Sequence, residues 1–471
     1  MNTMEIKNIS LLETLLPEWP DDLLPIIRQE ITQSNYKIVI LDDDPTGTQT
    51  SKDLPVLTHW PKEALENELS GEYPAFFILT NSRSLTEPDA CTLAREIGTN
   101  LRHACEKSGV QAILISRSDS TLRGHFPAEV DAMAEVMGKN DLPYLVLPFF
   151  LEGGRYTVDD IHYVQEGDCL VPAAQTTFAK DGVFGFHSSN LRDWVAEKTG
   201  GRVGAEEVTS ISLDDIRSGG PTRVAGILMQ VQSGKCCVVN AVSYRDMEVL
   251  VSALLEVENN GKEFLYRTAA SFVRTRTGRD HDNSLLAKAD LTSSSTNSGG
   301  LFVIGSYVEK TSQQVAALLE KTTVQSCEVQ VANLLQSGQR KVEILRVADE
   351  ISIALKAGID CAIYTSRKLV TGNDADSSLE IGQTVSDSLV EIVKLINVQP
   401  RYLVAKGGIT SSDVATKGLG IKRAMVVGQA LPGVPVWQLG QETRYPGMPY
   451  IIFPGNVGGI DALVQIHNNL D

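Results

Sequence analysis

Three polar segments in the first half of the chain each follow an apolar run and hold residues suited to acid–base and anion-binding chemistry. They are Asp42-Asp43-Asp44-Pro45-Thr46-Gly47-Thr48, Thr80-Asn81-Ser82-Arg83-Ser84 and Ser116-Arg117-Ser118-Asp119-Ser120-Thr121-Leu122-Arg123-Gly124. A carboxylate can act as general base or hold Mg²⁺ through water, and arginine can bind a carboxylate or phosphate with two parallel hydrogen bonds. The Asp triplet alone also fits a solvated turn with a helix cap. Three such segments in succession favour a binding and catalytic site.

Glycine-rich segments follow apolar runs in the second half of the chain. They are Gly305-Ser306, Lys406-Gly407-Gly408-Ile409-Thr410 and Gly455-Asn456-Val457-Gly458. A Gly-Gly turn that leads into a helix presents free backbone N–H groups to a phosphate, although such a turn is often only a tight connection. No Gly-x-x-x-x-Gly-Lys-Ser/Thr, Gly-x-Gly-x-x-Gly or Gly-x-Ser-x-Gly string occurs, which disfavours P-loop, Rossmann and α/β-hydrolase sites.

The elements that must position these segments alternate between short apolar runs and stretches of helical spacing. This alternation predicts strands that are buried in parallel sheets, and a ligand site at their carboxyl ends. The predicted strands are 37–41, 75–79, 112–115, 144–147, 237–242, 301–304, 327–332, 361–364 and 402–405. The predicted helices are 87–107, 127–138, 244–258, 309–322 and 379–397.

The composition of residues 291–300 marks a domain boundary. Nine of the ten residues in LTSSSTNSGG are Ser, Thr, Asn or Gly, which do not form a core element. We therefore expect an α/β protein of two domains, 36–290 and 301–471, each a mostly parallel sheet flanked by helices. Residues 291–300 are the expected linker, and residues 1–35 are an expected amphipathic N-terminal extension.

Charge and composition exclude several classes of protein. Lys and Arg number 42 against 59 Asp and Glu, and the net charge of −17 argues against a general nucleic-acid binder. No apolar run approaches the roughly 20 residues that span a bilayer. The seven cysteines include no Cys-x-x-Cys pair and the histidines are dispersed, so we expect neither disulfides nor a zinc site, and a cytoplasmic location.

On these motifs the chain resembles the four-carbon acid sugar kinase family from about residue 36 to near its C-terminus. The residues that carry the resemblance are Asp43-Asp44-Pro45-Thr46-Gly47, Asp119-Ser120-Thr121 with Arg123-Gly124, Gly407-Gly408-Ile409-Thr410 and Gly455-Asn456-Val457-Gly458. It implies an ATP-dependent kinase of threonate, erythronate or 3-oxo-tetronate, with an N-terminal sugar-acid-binding domain, a C-terminal nucleotide-binding domain and the active site in the cleft between them.

The resemblance also implies roles for single residues. Substrate would be bound by Asp43, Asp44, Arg83, Ser118, Asp119, Ser120, Thr121 and Arg123. ATP would be bound by Ser306, Gly407, Gly408, Ile409, Thr410 and Gly455, with Mg²⁺ bridging its phosphates through ligands that the sequence does not identify.

The sequence therefore predicts a kinase that transfers the γ-phosphoryl group of ATP to a hydroxyl of a short sugar acid. Asp44 is the first candidate for the base, Asp119 the second and Asp413 the third, while Arg83 and Arg123 are expected to clamp the carboxylate or the transition state. A homodimer is possible, and no nucleic-acid or membrane partner is expected. A metal-assisted sugar-acid lyase, isomerase or aldolase is the first alternative, and a non-catalytic binding protein is the second.

Overall fold

The computed structural model describes residues 4–280, 284–293, 296–306, 308–367, 375–455 and 457–470, with the backbone alone for 375–380. The chain divides into two compact units. Unit 1 consists of Met1–Ser51 and His59–Asp282, and unit 2 consists of Lys52–Thr58 and Asn283–Asp471.

The strands are numbered in chain order. They are β1 Lys7–Asn8, β2 Tyr36–Asp42, β3 Leu54–Leu57, β4 Ala75–Leu79, β5 Gln111–Arg117, β6 Tyr144–Leu147, β7 Arg155–Val158, β8 Ile161–Glu166, β9 Cys169–Pro172, β10 Thr209–Ile211, β11 Cys236–Val239, β12 Leu265–Thr268, β13 Leu301–Ile304, β14 Gln325–Val329, β15 Cys361–Thr365, β16 Leu403–Lys406, β17 Arg423–Leu431, β18 Val434–Leu439 and β19 Pro449–Phe453.

The α-helices follow the same numbering. They are α1 Leu24–Gln33, α2 Lys62–Ser70, α3 Glu87–Ser108, α4 Ala128–Met137, α5 Leu191–Lys198, α6 Leu213–Arg217, α7 Gly220–Gln230, α8 Tyr244–Asn259, α9 Ala270–Arg276, α10 Lys288–Leu291, α11 Glu309–Lys321, α12 Val331–Leu334, α13 Ser337–Lys356, α14 Ala375–Leu395, α15 Gly408–Asp413 and α16 Ala462–Leu470.

Unit 1 is built on a parallel sheet with strand order β10-β11-β6-β12-β5-β2-β4. Its inner strands are apolar on both faces; β4, for example, is buried at every position. Such strands are stable only when helices cover both faces of the sheet. The register sets Asp42 of β2 opposite Leu79 of β4 and Arg117 of β5, so the polar segments after these strands start at one edge.

A smaller antiparallel sheet of order β1-β9-β8-β7 also belongs to unit 1. This sheet was not predicted from the sequence, because its strands mix polar and apolar residues and lack a continuous apolar run. Its strand β7 begins with Arg155, which follows a tight turn closed by two backbone hydrogen bonds between Phe150 and Arg155.

Unit 2 is built on a mixed sheet with strand order β3-β17-β18-β19-β16-β13-β15-β14. The five strands from β19 to β14 are parallel, and β3, β17, β18 and β19 pair antiparallel. Phe302, Val404, Ile451 and Phe453 contribute to its core. The predicted α/β class, with mostly parallel sheets flanked by helices, is confirmed.

The two units differ from the predicted domains at three places. The first 35 residues are not a separate extension, because β1 pairs with β9 and α1 buries Leu24, Ile27 and Ile31 within unit 1. Residues 52–58 belong to unit 2 rather than to the predicted first domain, because β3 pairs with β17. The expected linker 291–300 belongs to unit 2, where Leu291 is fully buried; residues 294–295 lie outside the described part of the chain.

Candidate functional site

The aspartate triplet continues directly from β2 into a short 3₁₀ turn, Pro45–Thr48. Asp44 caps this turn, because its Oδ1 accepts hydrogen bonds from the Thr46 N–H at 2.8 Å and from the Thr46 hydroxyl at 2.5 Å. Asp43 Oδ2 accepts a hydrogen bond from the Ser118 hydroxyl at 2.8 Å. The triplet therefore forms a hydrogen-bonded turn with buried or half-buried side chains and is not a solvated loop.

Arg83 joins the polar segments to one another. Its Nε lies 3.3 Å from Asp43 Oδ1, its Nη2 lies 2.7 Å from Asp44 Oδ2, and its Nη1 lies 3.6 Å from Asp119 Oδ1. These carboxylates raise the pKa of Arg83 against the opposing effect of burial. The guanidinium is thus a permanent cation at the centre of the carboxylate cluster.

The guanidinium of Arg123 has a carboxylate partner at Nε and another at Nη1. Its Nε donates to Asp119 Oδ2 at 2.7 Å, its Nη1 lies 3.4 Å from Asp181 Oδ2, and its guanidinium stacks over Phe178 at 5.1 Å from the ring centroid. The Thr121 hydroxyl also donates to Asp119. Protein carboxylates therefore occupy both predicted clamps, Arg83 and Arg123, and their substrate contacts remain predictions.

Two buried side chains hold the Asp119 segment through its backbone. Arg267 Nη2 donates to the carbonyl oxygens of Asp119 at 2.8 Å and Arg123 at 3.0 Å. His162 Nε2 contacts the Ser120 carbonyl oxygen at 2.7 Å, and burial lowers the pKa of His162 to about 3, so the neutral ring donates this hydrogen bond. Leu122 has a φ of +71°, which is rare for a branched residue and is typical of segments held in place by their surroundings.

Burial, the nearby arginines and hydrogen bonds together give the three adjacent aspartates different pKa values. Burial raises the pKa of Asp42 to about 8, with Arg117 opposing the rise, and it also raises the pKa of Asp43. Burial alone would raise the pKa of Asp44 too, but Arg83 and the hydrogen bonds from Thr46 outweigh it and hold the pKa below its usual value. At neutral pH Asp42 is therefore mostly protonated, and Asp44 is an ionised, half-buried carboxylate.

The Asp119 carboxyl is also ionised at neutral pH. Burial opposes ionisation, but Arg83, Arg123 and the Thr121 hydroxyl together hold the pKa of Asp119 far below its usual value. A carboxylate stabilised this strongly is a weak base, although it remains a good hydrogen-bond acceptor. On this ground Asp44 is the better candidate base of the two.

Gly47→Ala is expected to destabilise the protein by about 1–3 kcal/mol through overpacking. A Cβ at Gly47 would lie 1.9 Å from Asp42 Oδ1, and Asp42 is only 1% exposed, so its side chain has no space to move into. Urea unfolding of this variant checks the prediction.

The matched control is Gly226→Ala on α7, where a Cβ would meet no atom within 4 Å. Its unfolding free energy should stay unchanged or rise by up to about 1 kcal/mol. An unfolding midpoint for Gly47→Ala equal to that of Gly226→Ala would show that the triplet does not pack as described.

In unit 2 the predicted nucleotide-binding residues Ser306, Gly407 and Thr410 lie together. Gly407 has a φ of +115°, which is open mainly to glycine, and a Cβ there would lie 3.2 Å from Ser306 Cβ. A Cβ at Gly305 would lie 2.1 Å from Thr410 Oγ1. The backbone therefore approaches closely at this point because side chains are absent from both glycines.

The third glycine segment is tied to the same place. Thr311 Oγ1 lies 3.1 Å from Ser306 Oγ and 3.3 Å from the Gly455 carbonyl oxygen. Gly408 and Ile409 begin α15, and the Ile409 side chain is exposed. Asn456, part of the predicted motif, lies outside the described residues.

Asp413 is the third candidate base and lies in unit 2. Its Oδ2 accepts a hydrogen bond from the Ser386 hydroxyl at 2.5 Å, and its Oδ1 lies 2.9 Å from Lys417 Nζ. Both oxygens therefore have partners within the unit. These contacts fit a role in fixing α15, which is the alternative to a role as base.

Lys406, directly before the Gly-Gly turn, is fully buried. Its Nζ donates to the Pro454 carbonyl oxygen at 3.0 Å and lies 4.0 Å from the centroid of the Phe453 ring. Burial, with a smaller contribution from Lys310, lowers the pKa of Lys406 to about 7. Lys406 stands in the glycine-rich segment named from the sequence but had no predicted role, because a lysine that ends an apolar strand resembles an ordinary surface residue.

The low pKa of Lys406 predicts a pH dependence of stability. Between about pH 7 and the ordinary lysine pKa, the Lys406 amine is protonated in the unfolded chain and neutral in the folded chain. The free energy of unfolding should therefore rise with pH in this window. Below about pH 7 the buried amine is charged, so the full free-energy cost of burying that charge is present. Urea unfolding of the wild type should therefore gain stability relative to Lys406→Met from about pH 7 to pH 9. Lys341→Met, at an exposed site, is the control and should show the same change of unfolding free energy with pH as the wild type. If the unfolding free energies of wild type and Lys406→Met changed with pH in parallel, the prediction would be wrong.

All eight substrate-site candidates lie in unit 1. Seven of them contact one another directly, and the carbonyl oxygen of Ser120 contacts His162, which holds the same segment. Six neighbours that pair with these residues or position them had no predicted role. They are Asp42, Arg117, Arg155, His162, Asp181 and Arg267. Asp42 and Arg117 belong to the polar segments named from the sequence, whereas the others come from strands or loops without a motif.

The described residues contain neither a membrane-spanning helix nor a metal-binding cluster. Among them, no helix is both long and apolar enough to cross a bilayer. In the same part of the chain, no three His, Cys, Asp or Glu side chains are grouped so that they could hold a metal ion.

The chain matches two family models. One is described as a sugar-binding N-terminal domain and covers residues 38–276, and the other is described as a nucleotide-binding C-terminal domain and covers residues 301–463. It is 26% identical over 328 residues to the D-erythronate kinase of Heliobacterium modesticaldum, a match covering 67% of each chain. It is 32% identical over 154 residues to the D-threonate kinase of Bordetella bronchiseptica, a match covering 31% of this chain and 36% of that one.

Two solved structures share the fold. One is a Salmonella typhimurium LT2 protein provisionally described as a tRNA synthase, with a TM-score of 0.67 and 17% identity. The other is a Haemophilus influenzae protein, with a TM-score of 0.62 and 16% identity. Each match covers 92% of this chain and 100% of the other. At this identity the likeness concerns the fold alone.

Proposed function

Because the chain belongs to the four-carbon acid sugar kinase family, we propose that it transfers the γ-phosphoryl group of ATP to a hydroxyl of a four-carbon sugar acid. The observation that carries the proposal is the carboxylate and arginine cluster within residues 38–276, the range matched by the sugar-binding model. The relatives named D-erythronate kinase and D-threonate kinase support a substrate of this size and charge.

Asp44 is the proposed acceptor of the hydroxyl proton. It is ionised at neutral pH, and its side chain is 21% exposed, against 5% for Asp43 and 12% for Asp119. The contact with Arg83 and the Thr46 hydrogen bonds fix the orientation of its carboxylate. In phosphoryl transfer the protein contributes mainly position and charge, so a fixed acceptor suits the reaction better than a strong but mobile base.

Ser306, Gly407, Gly408, Ile409, Thr410 and Gly455 are the proposed ATP-binding residues. The support is that a Cβ at Gly305 would clash with Thr410 Oγ1 at 2.1 Å, while Gly407 has a φ of +115°, so both positions of this turn require glycine, as in loops that present backbone N–H groups to phosphates. Gly408, Ile409 and Thr410 form the first turn of α15, whose N–H groups have no acceptor within the helix itself.

Mg²⁺ is proposed to arrive as MgATP. Magnesium in phosphoryl-transfer sites is held largely by phosphates and water and needs one or two carboxylates rather than a full protein cage. The described part of the chain groups no three His, Cys, Asp or Glu side chains that could hold a metal ion, so phosphates and water would supply most of the ligands. When bound, the ion would neutralise charge on the phosphates.

A screen for ADP release over threonate, erythronate and 3-oxo-tetronate stereoisomers tests the proposal. We expect ADP to form with at least one acid and to depend on that acid. A sugar-acid lyase, isomerase or aldolase would instead convert an acid without ATP, and that result would replace the kinase proposal.

A further inference from the structure

One arginine in the unit 1 site has no ion-pair partner among the described residues. Arg155 begins β7, and its guanidinium makes no hydrogen bond or ion pair with any group in the described part of the chain; its Nε is buried and unpaired. Its contact is with the ring of Phe178, 5.8 Å from the centroid. Arg123 stacks on the same ring, so the free guanidinium lies beside the Asp119 segment.

The other arginines near this segment all have protein partners. Arg83, Arg117 and Arg123 pair with aspartates, and Arg267 donates to two carbonyl oxygens. These four therefore hold the site together. Arg155 is different, because no described contact explains why a partly buried cation is kept there.

The nearest carboxylates act on Arg155 only from beyond ion-pair distance. Burial lowers the pKa of Arg155, and the charges of Asp119 and Glu166 oppose this effect. Asp119 is already paired with Arg83 and Arg123, and Glu166 is exposed, so water screens its charge. No described carboxylate therefore forms an ion pair with the Arg155 guanidinium.

The backbone around Arg155 is built to place its side chain. The Arg155 N–H donates to the Phe150 carbonyl oxygen at 2.9 Å, and the Phe150 N–H donates to the Arg155 carbonyl oxygen at 3.1 Å. Gly154 closes the turn with a φ of +68°. A Cβ at Gly153 would lie 3.0 Å from Arg155 Nη1 and 2.4 Å from the Phe150 ring, so this glycine leaves room for the guanidinium.

We propose that Arg155, supported by Phe178, binds the carboxylate of the acid substrate. The inference deepens the proposed function and rests on it: it makes Arg155, rather than the paired Arg83 and Arg123, the residue that selects an acid over a neutral polyol. A planar guanidinium binds a carboxylate with two parallel hydrogen bonds, and the guanidinium of Arg155 has no ion-pair partner among the described residues.

The test compares Arg155→Gln and Arg155→Lys with the wild type and with Arg95→Gln, an exposed control on α3. We expect Arg155→Gln to raise KM for the acid about tenfold to a hundredfold while KM for ATP stays unchanged. Activity on erythritol or threitol should change much less, so discrimination between acid and polyol should fall by a similar factor. Arg155→Lys should recover only part of the affinity, because an ammonium lacks the planar fork.

The outcomes separate this inference from the proposed function. Unchanged KM for the acid in an active Arg155→Gln enzyme would overturn the inference and leave the kinase intact. A rise in KM for ATP instead would assign Arg155 to a phosphate. Thermal stabilisation by the acid without ATP is the second readout: it should be present in the wild type and in Arg95→Gln and lost in Arg155→Gln. A wild type that neither binds nor phosphorylates any sugar acid would overturn the proposed function itself.

Discussion

Asp44→Asn is expected to lower kcat by about 10²- to 10⁴-fold, the usual cost of removing a positioned general base. The amide keeps the size of the side chain and can still accept hydrogen bonds from Thr46. It cannot take the proton of the attacking hydroxyl, and it loses its charge beside Arg83. Steady-state rates at saturating ATP and acid measure the effect, and the affinity for ATP should change little.

Two further variants are compared with Asp44→Asn. Asp43→Asn leaves one acceptor oxygen for two partners, Ser118 and Arg83, and removes the charge beside Arg83, so it should lower stability as well as rate. Asp141→Asn, at an exposed position in unit 1, should be neutral. Wild-type turnover in Asp44→Asn would show that Asp44 only caps its turn, and the same substitution at Asp119 and Asp413 would then identify the base.

Gly407→Ala is expected to weaken ATP binding by about tenfold to a hundredfold. The φ of +115° at Gly407 is unfavourable for any side chain, at a cost of about 1–3 kcal/mol, and the new Cβ would press on Ser306. The turn can relieve this strain only by moving the backbone N–H groups that are proposed to face the phosphates. Titration calorimetry with ATP measures the loss.

Gly338→Ala in α13 is the matched control, because a Cβ there meets no atom within 4 Å. This variant should bind ATP like the wild type. The sugar acid should still stabilise Gly407→Ala thermally, since its proposed site lies in unit 1. An unchanged ATP affinity in folded Gly407→Ala would remove the Gly-Gly turn from the nucleotide site.

The sequence predicted the parts of the fold and site that depend on local pattern. The run from Lys37 to Leu41 is apolar at nearly every position and is followed at once by three aspartates, so both the strand and its polar end were visible. Parallel strands end at a common edge, so the positions of Asp43, Arg83 and Asp119 directly after three such runs were enough to predict that they lie together.

The rest depends on contacts between residues that are distant in the sequence. Arg267 lies inside an apolar strand and Arg155 follows a turn, and neither belongs to a motif. Which carboxylate each arginine pairs with follows from three-dimensional placement, so the free state of Arg155 could not be predicted. The polar composition of residues 291–300 likewise concealed the buried Leu291.

Transfer of labelled phosphate from γ-labelled ATP to a four-carbon sugar acid tests the central claim most directly. The label should appear in a phosphate monoester of the acid in the same molar amount as the ADP produced, and only when both substrates are present. Formation of ADP with the label in inorganic phosphate, or conversion of the acid in the absence of ATP, would contradict the kinase assignment.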